Sequence, residues 1–509
     1  MTTEVHHVAR TFADHLPVLA VLVPFLAAPL TVLIGHRRLA WPIAFAACVA
    51  SFLISVTLLL KVYQGGVISY HIGGWAPPLG IEYRIDAANA IVLLLISAVA
   101  TIVLPFTAPS IKAEVDERHH TLFYTAYMLC FTGLMGMVAT GDAFNVFVFL
   151  EISSLSTYVL VAMGANTDKR ALTAAYDYLI MGTIGATFFV IGIGFLYAAT
   201  GTLNMADLAA HIRAQGMDRT LQTAFAFILV GMGLKVAVYP MHLWLPNAYT
   251  YAPSAVSTFL AATATKAAIY VLLRFMFSVF EPEFLHQMNA IQAIMLPLAL
   301  IAMFAASLIA AFQSDLKRML AYSSIAQIGY ILVGIAFLST TGLTGAVVHL
   351  FNHGITKAAL FMGVGALVLR SGSSFYLKLE GLGKIMPWTS AAIVIAGLSL
   401  IGVPGTAGFI SKWVLVQAAL EQGWWPIAMA IVLSSLLAVI YVWRVIETLY
   451  MKQPASGLTH QEAPLSMLVP MWIMALATIW FGFDTDLVLT AARSAADGFL
   501  HGFHMTGTH

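Results

Sequence analysis

Apolar residues in this chain fall in blocks of about 18–25, the length a helix needs to cross a hydrocarbon layer of roughly 30 Å. About fourteen such spans can be marked, near 17–34, 40–62, 88–107, 121–140, 143–164, 172–199, 222–246, 253–279, 290–312, 319–338, 343–369, 388–411, 424–450 and 465–482. Only 9% of the 509 residues are charged and 60% are hydrophobic. A soluble chain would carry roughly 25% charge. The fold class expected is an all-α polytopic membrane protein. No linker exceeds about 25 residues, so no separate soluble domain is expected. The longest polar stretches are 63–86, 200–220 and 371–386, with a tail from about 483.

The net charge of +1 comes without a basic patch, and no nucleic-acid partner is expected. Cys48 and Cys130 lie in apolar segments and lack CxxC or Cys/His spacing, which argues against iron–sulfur and zinc sites. No phosphate-binding glycine loop, nucleophile–His–acid set or nucleotide fingerprint is present, so neither a cofactor nor a catalytic site is expected. The polar segment 1–15 has no small-residue cleavage site, and no removable signal peptide is read there. Basic residues concentrate in the odd-numbered loops: Arg37, Arg38, Lys112, Arg118, Lys169, Arg170, Lys317, Arg318, Lys378, Lys384 and Lys452. The even-numbered loops hold Arg84, Arg213 and Arg219, with Lys61 and Arg274 at helix edges. The odd loops should therefore face the cytoplasm of a plasma membrane, with both termini outside.

Several ionisable residues interrupt the apolar blocks. Lys235 lies in the stretch 223–239, Lys266 in 257–273 and Glu151 in 143–163. Such groups are costly in lipid and mark ion or proton pathways more often than structure. Lys235 stands roughly 18 Å from the start of its span, beyond the reach of a side chain of about 6 Å. Desolvation favours a neutral amine and a nearby carboxylate favours the ammonium. A Glu151–Lys235 pair can thus act as a switch, holding a proton when closed and releasing it when open; a static salt bridge is the alternative.

His349, His353 and Lys357 recur every four residues and share one helix face, as a proton relay requires. The HLFNH run lacks the glutamate of a zinc HExxH, and Asn352 between the histidines is suited to water. Satisfied structural histidines are the alternative. Lys412 has no carboxylate nearby in sequence and suits an exit or entrance group, or else reaches the cytoplasmic interface. Arg444 and Glu447, three residues apart, suit an ion pair as well as transport. Asp142 reads as the N-cap of the Glu151 helix. Trp75, Trp424 and Trp425 read as interfacial aromatics. His6, His7, His460, His501, His504 and His509 read as solvated.

Two spans carry breaks. In the first, Lys235 is followed by Pro240, His242 and Pro246. Proline removes a donor and clashes with the preceding turn. In the second, Gly402, Pro404, Gly405 and Gly408 precede Lys412. Non-helical backbone at this depth is tolerated only where it is buried or lines water. Paired Gly/Pro interruptions in two halves point to an internal repeat of the transporter kind, with ion sites beside the breaks.

The run KVAVYPMHLWLPNA from Lys235, continuing to APSAVS at 252–257, resembles the central signature of the antiporter-like subunits. These occur in respiratory complex I, membrane-bound hydrogenases and Mrp-type cation/proton antiporters. FLEISSL around Glu151, HLFNHGITKA at 349–358 and GVPGTAGFISK at 402–412 agree with it. The likeness covers about residues 80–450. It implies two inverted five-helix repeats, helices 4–8 (121–279) and 9–13 (290–450). Three helices would precede them (1–120), and helix 14 with a tail would follow (451–509). It also implies a hydrated axis along the membrane midplane. On that axis Glu151 is the coupling glutamate, Lys235 the central lysine, Lys266 the bridging lysine and Lys412 the terminal lysine. GDAFNVFVFLE at 141–151 looks most like the D subunit of an Mrp-type antiporter. The resemblance implies work in a hetero-oligomer with a larger paralogous subunit and small hydrophobic subunits, exchanging protons for Na⁺ or K⁺. The alternative is a proton-pumping subunit of a redox complex, with the chemistry on other subunits.

Overall fold

The computed structural model describes residues 11–216, 218–288, 291–454 and 461–500. Two long helices, α1 (Leu16–Ile34) and α2 (Arg37–Gly65), lead into a hairpin of β1 (Ile68–His71) and β2 (Glu82–Ile85). Then come α3 (Ala87–Glu114), α4 (His120–Ala139), α5 (Ala143–Ala162), α6 (Arg170–Thr200) and the short α7 (Met205–Gln215). The first broken span is α8 (Arg219–Val236) with α9 (Trp244–Tyr251), followed by α10 (Ser254–Leu273), α11 (Glu281–Met288) and α12 (Leu296–Ala311). The long α13 (Leu316–Ala336) and α14 (Thr340–Ser371) precede two single turns, α15 (Tyr376–Leu379) and α16 (Leu382–Ile385). The second broken span is α17 (Pro387–Ile401) with α18 (Ala407–Glu421), and α19 (Trp425–Ile446), α20 (Leu465–Phe483) and α21 (Asp486–Leu500) complete the chain.

Among the described residues, twelve helices are long and apolar enough to cross a membrane, thirteen if one bent pair (Tyr376–Ile385 and Pro387–Ile401) counts as a span. The two expected spans outside the twelve are the two read as interrupted. The protein is a polytopic helical membrane protein. A purely helical reading misses the β-hairpin, whose antiparallel register pairs Ile68 with Ile85 and His71 with Glu82. α7, α15, α16 and α21 likewise occupy stretches read as polar loop or tail. α3 runs through Pro105 and Pro109 to Glu114, past its expected end at 107. His6, His7, His460, His501, His504 and His509 lie outside the described residues.

Burial separates the helices by role. α13 is buried on nearly every face, α10 at all but Ala264, and α14 without interruption from Gly342 to Leu367. A helix buried all round sits at a bundle's centre, and these three carry Lys266, Gln327, His349, His353 and Lys357. α1, α19 and α20 lie outside and turn Leu33, Leu436 and Leu476 outward. α21 packs its small residues, Ala491, Ala492, Ala495 and Ala496, inward, and Phe499 stacks against the Arg274 guanidinium.

Two short backbone ladders tie helix ends together. Ala143 N–H donates to Leu203 O (2.8 Å) and Met205 N–H to Gly141 O (2.9 Å). Leu316 N–H donates to Ser374 O (2.9 Å) and Tyr376 N–H to Ser314 O (3.0 Å) in the same reciprocal pattern. Each ladder starts beside an aspartate that caps its helix: Asp142 accepts from Asn145 N–H, as expected, and Asp315 from Arg318 N–H.

The second break depends on glycine. Gly402 holds φ at 91°, in the left-handed region. A Cβ on Gly408 would overlap the Ser399 carbonyl oxygen, so α17 and α18 touch there by backbone. Gly408→Ala should force the two half-helices apart, destabilising the protein by about 1–3 kcal/mol or more. The check is the melting temperature of the detergent-purified protein, which should fall; an unchanged value would mean the contact yields freely.

Candidate functional site

α8 ends before its proline. Ala237 takes the left-handed conformation (φ 64°), and Val238 N–H turns back to Gly233 O at 2.9 Å. This is the geometry of a helix C-terminus, normally given to glycine. The break therefore falls at Ala237, with Pro240 inside the irregular segment. The Trp244 indole N–H donates at 2.9 Å to the Leu234 carbonyl, which also accepts Ala237 N–H at 3.3 Å.

Lys235, in the last turn of α8, is buried. Its Nζ donates to Ser154 Oγ at 2.7 Å and stands 3.8 Å from Glu151 Oε1. Glu151 and Ser154 lie three residues apart on α5 and so share a face. The expected pair is present but is the looser of the two contacts, and Ser154 is a partner that sequence reasoning missed. Glu151 Oε1 has no hydrogen-bond partner among the described residues. The Glu151 side chain is 26% exposed against 6% for Lys235, so the pair sits at the edge of the bundle.

At the centre, Lys266 is fully buried and donates to Ala261 O and to Thr265 Oγ1 (3.3 Å). Lys357, also fully buried, donates from α14 to Leu320 O (2.8 Å) and Ser323 Oγ (2.5 Å) on α13. His349 bridges three helices: Nδ1 meets Ser411 Oγ at 2.8 Å on α18 and Nε2 meets Gln327 Oε1 at 2.9 Å on α13. The His353 ring stacks 6.2 Å from it at 15°, and neither of its nitrogens has a hydrogen-bond partner among the described residues. Asn352 Nδ2 donates to Ala407 O at 2.7 Å while its Oδ1 has no such partner.

Lys412 closes the series. Its Nζ donates to Leu400 O (3.1 Å) and Ile401 O (2.7 Å), the last carbonyls of α17, and lies 4.8 Å from the centre of the Tyr330 ring. Pro404 lies in the five-residue gap between α17 and α18. Among the described residues, Lys266, Lys357 and Lys412 have no carboxylate within ion-pair distance. His242, in the first break, is buried against Tyr239 (4.9 Å) with Nδ1 unpartnered among the described residues.

One expected pair does not form. Arg444 donates to Ala311 O (2.9 Å) and Gln313 O (2.7 Å) and stacks on Tyr376, while Glu447 turns to Lys452 at 4.0 Å. The end of α12 leaves carbonyls without helical donors, and the guanidinium satisfies them in preference to a glutamate one turn away.

A membrane bundle with a row of ionisable side chains buried through its interior is the architecture of an ion-translocating membrane protein. Residues 140–438 match the family described as NADH:quinone oxidoreductase/Mrp antiporter, TM, and the chain belongs to that family. It is 36% identical over 492 residues to the N subunit of the NADH-quinone oxidoreductase of Desulforudis audaxviator, covering 94% of this chain and 97% of that one. It is 30% identical over 493 residues to the D subunit of the Na(+)/H(+) antiporter of Alkalihalophilus pseudofirmus, covering 96% and 97%. Its fold matches a chain of the Mrp complex from Dietzia sp. DQ12-45-1b with a TM-score of 0.88 at 25% identity, covering 96% and 98%.

Lys412→Met would remove the donor from two carbonyls that end a helix inside the membrane. Each such group left unpaired costs about 1–3 kcal/mol. The melting temperature should fall measurably against the parent in the same detergent; no change would mean that water already serves these carbonyls.

Proposed function

We propose that this chain is the proton-translocating subunit of a multisubunit monovalent cation (Na⁺ or K⁺)/proton antiporter. The observation that carries the reading is the row Glu151, Lys235, Lys266, His353, His349 and Lys412, with Lys357 beside it. All but the partly exposed Glu151 are buried, and the lysines and His349 are held mainly by hydroxyl, amide and carbonyl groups. Buried polar atoms without partners are rare and need a reason. Among the described residues Glu151 Oε1, both His353 nitrogens and Asn352 Oδ1 have no hydrogen-bond partner, and proton transfer through water along the row supplies the reason. The 3.8 Å gap between Glu151 and Lys235 suits a pair that opens and closes.

The likeness to the D subunit of an Na(+)/H(+) antiporter and to the fold of the Mrp complex chain supports the antiporter reading. Work beside other membrane subunits follows from it, with a larger paralogue and small hydrophobic subunits as the partners. One observation favours a second reading, a proton-pumping subunit of a redox complex: the 36% identity to the N subunit of an NADH-quinone oxidoreductase. In that setting the same axis would move protons while other subunits carry the redox chemistry.

The two reciprocal ladders support a pair of inverted repeats, helices 4–8 and 9–13. Each joins the start of a repeat's second helix to the segment after its third, and the two helices concerned, spans five and ten, run in opposite senses by count. The bias of basic residues supports odd loops in the cytoplasm and both termini outside. One charge moved down the membrane potential is worth about 2.3 kcal/mol per 100 mV, so unequal stoichiometry would let proton import drive cation export.

Glu151→Ala, Lys235→Ala and Lys266→Ala should each reduce cation-dependent proton movement in membrane vesicles at least tenfold, with assembly retained. Full transport in all three would sink the axis. Gentle purification from native membranes followed by mass spectrometry separates the two settings. Small hydrophobic subunits and a larger paralogue are the expected companions, whereas flavin or iron–sulfur subunits would move the chain to a redox complex.

A further inference from the structure

The buried pair Glu114–Lys317 is not used by the axis just described. It lies at a partly open cavity of about 150 Å³ lined by the odd-numbered loops. Glu114 ends α3, Thr167 and Asp168 precede α6, Ala252 follows α9, Lys317 begins α13 and Ser373 follows α14. A water occupies about 30 Å³ in the liquid, so the space admits several. The Arg170 guanidinium holds the Asp168 carboxyl below its ordinary range, which keeps the rim charged.

The two members of the pair are held unequally. Glu114 is fixed by Ser254 N–H (2.9 Å), Ser254 Oγ (3.0 Å) and Ser110 Oγ (2.8 Å). Lys317 stands 3.7 Å from Glu114 Oε2 and donates to Ala252 O at 3.2 Å. The lysine is therefore the partner free to move. Below it on α13, Leu320 lies about one turn away, roughly 4.5 Å along the axis. The Leu320 carbonyl and Ser323 hydroxyl are the groups that hold Lys357. Lys357 in turn lies one turn from His353 on α14, whose ring nitrogens are unpartnered among the described residues. Cavity, Lys317, Lys357 and His353 thus descend from the membrane face to the middle of the axis, without passing Glu151 or Lys235.

We infer that the Glu114–Lys317 pair is the gated mouth of a second proton route, leading from cytoplasmic water in this cavity to Lys357 and His353. A hydronium ion in the cavity gives its proton to the Lys317 amine and returns to water. The resulting ammonium passes a proton through water to the Lys357 amine, which becomes the ammonium as Lys317 returns to the amine. Only N–H and O–H bonds form and break. With the gate closed, the Glu114 carboxylate holds the Lys317 ammonium. The inference rests on the proton-translocation reading above.

The competing role is a pin that fastens α3 and the start of α10 to α13, and arginine separates the two. Lys317→Arg keeps the positive charge and its carboxylate, but a guanidinium does not give up its proton. In the complete complex in everted vesicles, with cation-dependent acidification read by a quenching dye, Lys317→Arg should assemble normally yet transport at least tenfold more slowly. A parental rate would overturn the inference. Thr167→Cys provides a second test at the exposed rim, since Cys48 and Cys130 are buried. A bulky membrane-impermeant thiol reagent should label it and slow transport several-fold against the same vesicles before labelling. Failure to label, or labelling without effect, would overturn the mouth whether or not the arginine variant folds. Glu151→Ala is run alongside. If it alone stops transport, the inlet has failed and the axis stands; if it too transports fully, the axis reading has failed.

Discussion

Lipid offers no hydrogen bond to a backbone carbonyl, and both broken spans leave carbonyls where a helix stops. Such a group in hydrocarbon costs several kcal/mol unless something within the protein reaches it. The two halves solve this differently. In the first break the Trp244 indole takes the Leu234 carbonyl, which leaves Lys235 free for Ser154 and Glu151. In the second break Lys412 itself serves the Leu400 and Ile401 carbonyls. Any movement of the Lys412 ammonium must therefore be exchanged against the closure of a helix end, whereas Lys235 contacts two side chains of α5 and no helix-end carbonyl that it alone must serve.

The neutral partners organise the axis as much as the charged ones do. Ser411, adjacent to Lys412 in sequence, binds His349, and Gln327 holds the other nitrogen of the same ring. Three helices are thereby registered at one imidazole. His353, one turn away, has no such anchors among the described residues and stacks on its neighbour. The fixed ring and the unanchored ring stand side by side where the series turns from the centre toward the second break.

The spans are legible because lipid forces a simple relation between apolar length and helix, and the Asp142 cap and the Gly402–Gly405 break follow from local chemistry. The first break is harder to place: Pro240 is the obvious breaker, yet the chain turns at Ala237, a residue with no turn signature. The hairpin and α21 escape because short polar segments carry little periodicity, and the hairpin's pairing is set by strands more than ten residues apart. Arg444 and Glu447 suit a pair by spacing, but the nearby end of α12 offers the guanidinium carbonyls that sequence spacing does not reveal. Ser154, Gln327 and Ser411 are missed for a related reason. Hydroxyls and amides are common in membrane helices, and His349 meets Ser411 across 62 residues.

The reciprocal ladders turn two helical hairpins into closed rings. α5 and α6 are joined at one end by their loop and at the other by the Ala143–Leu203 and Met205–Gly141 bonds; α13 and α14 are joined in the same way. A ring closed at both ends resists splaying as an open hairpin does not. The broken helices α8/α9 and α17/α18 stand outside these rings, their halves joined by irregular segments and by side-chain bonds from Trp244 and Lys412. The molecule is thus built of two doubly tied frames, each beside a span whose two halves meet at an irregular segment next to Lys235 or Lys412.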